Sequence, residues 1–227
     1  MAKNIYNNET FLRGKVGKNI YKVVRGKQIV APFAVPRNPN TVKQIAVRLK
    51  MSLLGAIAGY LLPILKYSLH ASAQSRRTTP FGRFIHLNYA NVTGLAPDYQ
   101  IDWDELQISE GNVRNISLDS DHIDQTSVPG TISVAVQERG IEFDNSNEDD
   151  LCYLALVCPE LKSVALGEPR VRKTVTELEC TPPTWWSGHK VYLYNFTTNP
   201  ENTKASESMA VGKIDFVIEC LGDWVTE

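Results

Sequence analysis

The sequence predicts a mainly β fold with an α-helical N-terminal part, which places the chain in the α+β class. The prediction comes from one long apolar-periodic segment before residue 97 and from a succession of short alternating runs after about residue 99. No helical pattern separates the short runs, so we expect their strands to be antiparallel. Seven or more such strands are typical of an immunoglobulin- or fibronectin-like antiparallel β-sandwich, here preceded by an extended basic arm and a helical hairpin.

Length and composition limit the alternatives. The 227 residues are 43% hydrophobic and 22% charged, which is enough apolar content for a core and excludes full disorder, collagen and a coiled coil. We divide the chain into an extended basic arm with a short hairpin (residues 1–36), a helical segment (37–97) and a β-sandwich domain (98–227) that is expected to fold alone. The longest uncharged apolar stretch, Met51 to Leu65, has 15 residues, whereas a spanning helix needs about 20, so no membrane span is expected.

The basic arm carries one signal for local structure. The run Ile20–Val24, rich in β-branched residues, is followed by Arg25-Gly26-Lys27 and then by Gln28–Val30, and this pattern predicts a small hairpin. A two-stranded hairpin alone is only marginally stable in water. We therefore expect the hairpin to pack on its own domain or on a neighbouring molecule.

The clearest helix start follows the turn Arg37-Asn38-Pro39-Asn40. Thr41 is a suitable N-cap and Gln44 lies three positions on, which is the capping-box pattern. Apolar residues then recur at three- and four-residue spacing, as on one face of a helix. Pro63 is expected to kink or end this helix. A second helix is predicted over Phe81–Asn91 after a polar break.

The β part of the chain consists of short runs separated by turn clusters such as Asn199-Pro200-Glu201-Asn202. The predicted strands are Glu105–Glu110, Val113–Leu118, Gly130–Glu138, Ile141–Asp144, Leu151–Cys158, Ser163–Leu166, Val171–Leu178, Lys190–Thr198 and Met209–Glu219. Alternation is clearest in Ile132–Val136 and Val191–Phe196, where successive side chains should point to opposite sides of a sheet. The Cys–Trp–Cys arrangement of antibody domains is absent, so the sandwich prediction depends on the number of strands.

Charge is distributed unevenly along the chain, although the net charge is −1. Residues 1–90 contain 15 Lys and Arg and one acidic residue, Glu9, for a net charge of +14, whereas residues 91–227 have a net charge of −15. An asymmetry of this size usually marks an interacting segment. The basic half can bind nucleic acid or the acidic half of another copy. Because the same chain also carries an acidic half, protein–protein docking is favoured.

The sequence contains no recognisable catalytic motif. Phosphate loops, H-E-x-x-H and G-x-S-x-G are missing, and the four histidines are not spaced as ligands. The acids of Asp119–Asp124 alternate like the start of a calcium loop, but the loop glycine and the distal glutamate are missing, which favours a solvated loop. The four cysteines lack zinc spacing, and Cys152 and Cys158 should face the same side of a strand as buried thiols. We predict no enzyme activity, no cofactor and no metal site.

Candidate residues for an assembly interface come from three places. In Thr184-Trp185-Trp186 the adjacent tryptophans should face opposite ways, so one is expected at the surface, where tryptophan is a common interface anchor. The basic arm and the apolar helix supply the other two groups. The predicted interface residues are Lys15, Lys18, Lys22, Arg25, Lys27, Arg37, Leu53, Leu54, Ile57, Leu61, Trp185 and Trp186.

Several segments, ordered and spaced alike over nearly the whole chain, point to one family. They are Gly14–Gly17, Arg25–Gln28, Arg37–Thr41 with Gln44 and Arg48, Pro97–Trp103, Val191–Tyr194 and Ser206–Gly212. On these segments the chain resembles a domain-of-unknown-function family found in Bacteroidota and their phages. The resemblance implies an arm and helix that lead into a β-sandwich, without assigned catalytic residues, and by association a role in a virion or in its assembly.

The predicted function is therefore that of a non-enzymatic structural component of a phage-like particle, located in the virion. It would assemble in several copies, as a ring or collar at the head–tail connector or tail, through its arm and helix. Its partners would be other copies of itself and neighbouring virion proteins. Two alternatives stay open: an immunoglobulin-like binding or adhesion module, and a nucleic-acid-associated protein that uses the basic arm.

Overall fold

The protein is a mixed α+β chain whose sheets are antiparallel, as the sequence predicts. The structure is a computed structural model that describes residues 3–4, 12–24, 27–35, 38, 40–125, 128–139 and 145–218. It divides into two compact units, residues 1–42 and residues 43–227.

The N-terminal unit contains an antiparallel sheet with the strand order β1-β2-β3-β4. Its strands are β1 (Lys3–Asn4), β2 (Leu12–Val16), β3 (Asn19–Val24) and β4 (Lys27–Pro32). The β3–β4 pairing confirms the predicted hairpin, although the turn residues Arg25 and Gly26 lie outside the described residues. The extended arm expected around that hairpin is instead a sheet, because β2 pairs with β3 through a two-residue turn. Gly17 permits this turn, since its φ of +59° is a left-handed conformation that glycine adopts without steric cost.

The helices and the remaining strands follow along the chain. They are α1 (Val42–Ser68), α2 (His70–Ser75), α3 (Pro80–Asn88), β5 (Val92–Thr93), β6 (Gln100–Ile101), β7 (Ser117–Asp124), β8 (Ile132–Glu138), β9 (Leu151–Cys158), β10 (Ser163–Leu166), β11 (Arg170–Val171), β12 (Glu177–Cys180), β13 (His189–Thr198) and β14 (Met209–Phe216).

Helix α1 begins at Val42, directly after the predicted N-cap. It does not end at Pro63 but continues to Ser68, contrary to one of the two expectations for that proline. A proline cannot donate a hydrogen bond to the carbonyl four residues earlier, which here belongs to Gly59. Pro63 and Gly59 are both exposed, so water can bind that carbonyl and the helix is preserved.

Helix α3 has a clear N-terminal signal in the residues Thr79 and Pro80. Thr79 is its N-cap, and the threonine Oγ1 accepts the Gly82 N–H at 3.1 Å. Pro80 occupies the first turn, where its missing N–H costs nothing. The helix ends at Asn88, three residues before the predicted end.

The larger unit contains two sheets that face each other. One has the order β10-β9-β13-β14 with β11 also paired to β9, and the other has the order β12-β8-β7. A shared core of buried side chains from both sheets lies between them, and it includes Leu154, Leu193, Val134 and Leu178.

The helices cover the other side of the sheet that contains β9. Leu54, Ile57 and Leu61 of α1 share a second core cluster with Tyr153 of β9 and Phe196 of β13. The larger unit therefore has three layers, and β9 is buried along almost its whole length because both of its faces are covered. The expectation that residues 98–227 fold alone is not supported by this packing, since such a fragment lacks one whole layer.

Agreement between predicted and observed strands varies along the chain. The bounds of β9 and β10 are those predicted from the sequence. The predicted strand Val171–Leu178 is instead divided between β11 and β12, and Ile141–Asp144 lies outside the described residues. The solvated loop expected at Asp119–Asp124 is wrong, because these residues belong to β7, which pairs with β8 through an irregular register.

The predicted strand Glu105–Glu110 has the alternating burial of a strand but no strand partner. Asn88 binds its backbone with both side-chain atoms: Oδ1 accepts the Gln107 N–H at 2.8 Å and Nδ2 donates to the Gln107 carbonyl at 2.8 Å. Ser208 Oγ accepts the Ile108 N–H at 3.0 Å. Side chains thus replace the ladder of a sheet, which a local pattern does not reveal.

A charged network joins α2 and α3 to the end of this segment. Arg83, which is almost fully buried, donates from Nε to Glu110 Oε2 at 2.6 Å and pairs with Oε1 through its second nitrogen. Ser72 donates to the same carboxylate, and Arg76 lies 3.5 Å from it. The hydrogen bond from Arg83 is the main reason that the pKa of Glu110 is lower than usual.

Candidate assembly interface

The strand register of the N-terminal sheet sorts its side chains onto two faces, because directly paired residues lie on the same side of a sheet. Lys15 pairs with Ile20, Lys22 with Ile29 and Lys27 with Val24. Within β2, β3 and β4 one face, here called the basic face, therefore consists of Arg13, Lys15, Ile20, Lys22, Val24, Lys27, Ile29 and Ala31. The other, here called the uncharged face, consists of Leu12, Gly14, Val16, Asn19, Tyr21, Val23, Gln28, Val30 and Pro32.

The basic face alternates cations with apolar side chains. Each of its three lysines is opposite a branched apolar residue on the next strand, which limits repulsion among these lysines, whereas Arg13 is directly opposite Lys3 of β1. Lys15 Nζ also lies 3.8 Å from the centre of the Phe33 ring, a cation–π contact. No carboxylate side chain occurs between Glu9 and Asp98 in the sequence. The predicted residues Lys15, Lys22 and Lys27 are thus brought together on one surface.

The remaining basic residues of the predicted interface have different positions. Lys18 is exposed in the turn between β2 and β3, not on a sheet face. Arg25 and Arg37 lie outside the described residues.

The N-terminal sheet has no core of its own within the residues that the structure describes. All side chains described between residues 12 and 35 are exposed or half-buried, and none is buried. Val16 and Val30 on the uncharged face are 46% and 52% exposed. Full burial of a valine side chain is worth about 1.5 kcal/mol or more, so covering this face would contribute appreciable free energy.

The helix residues predicted for the interface lie elsewhere than expected. Leu54, Ile57 and Leu61 are buried in the core between α1 and the sheet, and Leu53 is half-buried against the same core. Leu54, Ile57 and Leu61 are therefore unavailable to a neighbouring molecule and their assignment to the interface is wrong, whereas Leu53 is only partly covered. From Met51 onward the helix is apolar nearly all round, so periodicity could not tell a neighbour from the protein's own sheet.

The exposed large apolar side chains of α1 are concentrated in its first turns, with Tyr67 near its end as a further one. Val42, Ile45, Val47 and Met51 all have large exposed side chains. By length and composition alone α1 could cross a membrane, since it has 27 residues and its apolar window has a mean hydropathy of 1.6. Core helices of water-soluble proteins pass the same test, and the buried residues of α1 belong to such a core. The absence of a membrane span stays a prediction.

The tryptophan pair divides between surface and core, as expected for adjacent residues. Trp185 is 56% exposed, whereas Trp186 is fully buried in the core between the two sheets. Their rings form an edge-to-face contact with centroids 6.2 Å apart. Trp185 therefore keeps its predicted place on a possible interface, and the assignment of Trp186 to that interface is wrong.

The outer face of the β12-β8-β7 sheet is acidic. Glu177 and Glu179 alternate with the buried Leu178 and Cys180, and Asp124 is directly opposite Ser133 on the outer side of β8. We define the acidic face as Asp124, Glu177 and Glu179 together with Asp119 and Asp121, which lie in the irregular stretch of β7 between the paired residues Leu118 and Ile123. The strands β7, β8 and β12 together contain six Asp or Glu residues and no Lys or Arg.

Local contacts keep the acidic face charged. The pKa of Asp119 is below its usual range, mainly because its Oδ1 accepts the Asp121 N–H at 3.1 Å and also because His122 lies 3.0 Å from its Oδ2. Arg170 lies 3.0 Å from Glu179, but both side chains are substantially exposed. Exposed pairs of this kind contribute little, typically under about 1 kcal/mol, so Glu179 remains accessible to a competing cation.

Metal binding and thiol chemistry receive no positive support from the residues that the structure describes. Among them, no group of three or more His, Cys, Asp and Glu is arranged to hold a metal ion. Cys152 and Cys158 lie on the same side of β9 in the core between the sheets, as predicted, and Cys180 joins them there. Burial raises the pKa of Cys152 to about 11 and that of Cys180 to about 12, so both are protonated at neutral pH. Cys220 lies outside the described residues.

Comparisons with family models, with curated proteins and with solved structures found no match to this chain.

Proposed function

We propose that the protein is a non-enzymatic structural component of a phage-like particle that assembles in several copies through its N-terminal sheet. One observation carries the self-assembly part of the proposal: none of the described side chains of this sheet is buried, while apolar residues are exposed on both of its faces. Burial of apolar surface is what stabilises a small sheet, so a surface of this kind calls for a partner. That the particle is phage-like is proposed from the resemblance of the sequence to a family found in Bacteroidota and their phages.

The charge distribution favours another copy as the partner. The basic face presents Lys15, Lys22 and Lys27, whereas residues 91–227 carry a net charge of −15. A contact between the N-terminal sheet of one copy and the acidic part of the next is heterologous. Such contacts close into a ring when the rotation between copies permits and otherwise continue as a filament. A ring or collar at a head–tail connector or tail is the assembly that we propose.

The body of the protein is proposed to be an immunoglobulin- or fibronectin-like sandwich. In that fold strands A, B and E share one sheet, and C, F and G share the other. The order β7-β8-β12 corresponds to A-B-E, and β9-β13-β14 corresponds to C-F-G, with β10 as an added strand beside C. The helical layer over β9 and β13 is an addition to the usual architecture. An experimental structure in which β12 pairs with a strand other than β8 would contradict this assignment.

Sedimentation velocity and negative-stain electron microscopy of the full-length, nuclease-treated protein test the assembly. We expect closed multi-copy particles whose association weakens at high salt, because exposed ion pairs are screened. The variant with Lys15, Lys18, Lys22, Arg25 and Lys27 replaced by Glu should remain folded and lose association. Its matched control replaces five exposed lysines of the larger unit by Glu, namely Lys43, Lys66, Lys162, Lys190 and Lys204, and should assemble like the parent.

Two other results would favour the alternatives. A protein that stays monomeric at all salt concentrations would refute self-assembly and favour an immunoglobulin-like binding or adhesion module. Association that requires DNA or RNA, with a steep decrease in affinity as salt increases, would favour the nucleic-acid-associated protein.

A further inference from the structure

We infer that the basic face of the N-terminal sheet docks on the acidic face of the β12-β8-β7 sheet of a second copy. The inference rests on the proposed self-assembly and names the two surfaces that would form the contact. Both are faces of antiparallel sheets: strand register defines the basic face, and alternating burial in β12 and β8 defines the outer side of the acidic sheet.

Complementary charge is the first argument for this pairing. The basic face has four cations and no anion, and the strands of the acidic sheet have six carboxylates and no Lys or Arg. Glu177 and Asp121 have no ion pair with any described residue, and Glu179 has only the exposed contact with Arg170. Carboxylates on that sheet are thus available to cations of another copy.

The size of the two faces is the second argument. The strands β2 to β4 and the acidic sheet are each three strands wide, with strands of four to eight residues, and the two-residue β1 lies beside β2 at the edge of the N-terminal sheet. At about 4.8 Å between strands and about 3.3 Å per residue, each face covers roughly 14 Å by 20 Å. Each footprint is smaller than the roughly 800 Å² per partner of a standard interface, so a single contact should be weak and the assembly concentration-dependent.

Apolar side chains explain why the contact should survive partial screening. Ile20, Val24 and Ile29 stand between the lysines of the basic face. Opposite them, the outer side of β8 presents the small residues Ser133 and Ala135 between the two flanking acidic strands. Branched side chains can therefore approach the middle of the acidic sheet while the lysines reach carboxylates on either side of it.

The experiment uses two full-length variants with reversed charge. In the first, Lys15, Lys22 and Lys27 are replaced by Glu; in the second, Asp121, Glu177 and Glu179 are replaced by Lys. We expect each variant alone to self-associate at least about tenfold more weakly than the parent in sedimentation velocity, since three ion pairs become repulsive. An equimolar mixture should regain association, because the acidic sheet of the first variant still accepts the basic face of the second, and the two reversed surfaces fit each other.

A third variant is the matched control for position. It replaces the exposed carboxylates Asp98, Glu105 and Glu201 by Lys, which changes the net charge as much as the second variant does. It should associate within about twofold of the parent, because isolated surface charges away from a contact matter little. Recovery in the mixture also demonstrates that both reversed variants are folded.

The outcomes separate the docking inference from the proposed function. If the parent associates but the second variant associates equally well, or if the mixture fails to regain association, the acidic face is not the docking surface and the inference is wrong. Self-assembly would then still stand through another surface. If the parent itself fails to associate without nucleic acid, the proposed function fails and the inference fails with it.

Discussion

Replacement of Leu61 by alanine tests whether α1 is a layer of the core or a surface for a neighbour. Leu61 is fully buried and belongs to the cluster between α1 and the sheet that contains β9 and β13. Buried leucine-to-alanine changes cost about 3 to 5 kcal/mol through lost burial and the cavity left behind. Whole domains are stable by only about 5 to 15 kcal/mol, so the variant should lose a large part of its stability.

The matched control is Met51→Ala in the same helix. Met51 is 45% exposed, so its truncation should cost under about 1 kcal/mol. Alanine is a better helix former than either leucine or methionine, so neither change weakens the helix intrinsically. The difference between the two variants therefore measures packing against the sheet.

The assay is urea-induced unfolding followed by circular dichroism, at a protein concentration low enough to prevent association. A midpoint shift with an unchanged slope would report stability alone. If Leu61→Ala destabilises the monomer no more than Met51→Ala does, α1 is not a core layer. If Leu61→Ala instead loses association without losing stability, Leu61 belongs to the assembly interface, as the sequence predicts.

Three further predictions concern ionisation, capping and thiols. Arg83 lowers the pKa of Glu110 in the folded protein, so ionised Glu110 stabilises the fold above its unfolded pKa of about 4.5, and this contribution is lost as pH decreases through the lower folded value. Glu110→Gln should therefore destabilise the protein at neutral pH, and urea titrations should show the difference from the parent shrinking as the pH decreases below about 4.5; a difference that does not depend on pH would contradict this. Thr41→Ala should cost about 1 kcal/mol in thermal or urea unfolding by removing the N-cap that the sequence predicts for α1, which begins at Val42, and an unchanged stability would mean that the cap is unused. In a Cys220→Ser variant the three described cysteines should not react with a thiol reagent at pH 8 until the protein unfolds, and rapid labelling of the native protein would show that the core between the sheets is open.

Part of the candidate interface could be predicted from composition and order alone. The excess of positive charge before residue 90 predicts an interacting N-terminal region, and the strand register brings Lys15, Lys22 and Lys27 of that region to one face. The adjacent tryptophans indicated that one of them would be exposed, and it is Trp185. The acidic face could not be predicted, because its residues come from segments more than 50 positions apart in the sequence, from Asp119 to Glu179. Only the pairing of β12 with β8 and of β8 with β7 brings them to one surface.

By itself, the sequence determined the features that depend on neighbouring residues. The bounds of β9 and β10, the start of α1 and the common side of Cys152 and Cys158 all follow from periodicity, capping residues and alternation, which are properties of a short stretch of chain. The tertiary structure decided what covers each apolar surface: α1 packs on β9 and β13, Trp186 enters the core between the sheets, and the N-terminal sheet has no buried side chain among its described residues. The physical reason is that the hydrophobic effect is non-directional, so any apolar surface within reach can bury an apolar face. The sequence pattern therefore shows that a face is apolar, but not which surface packs on it.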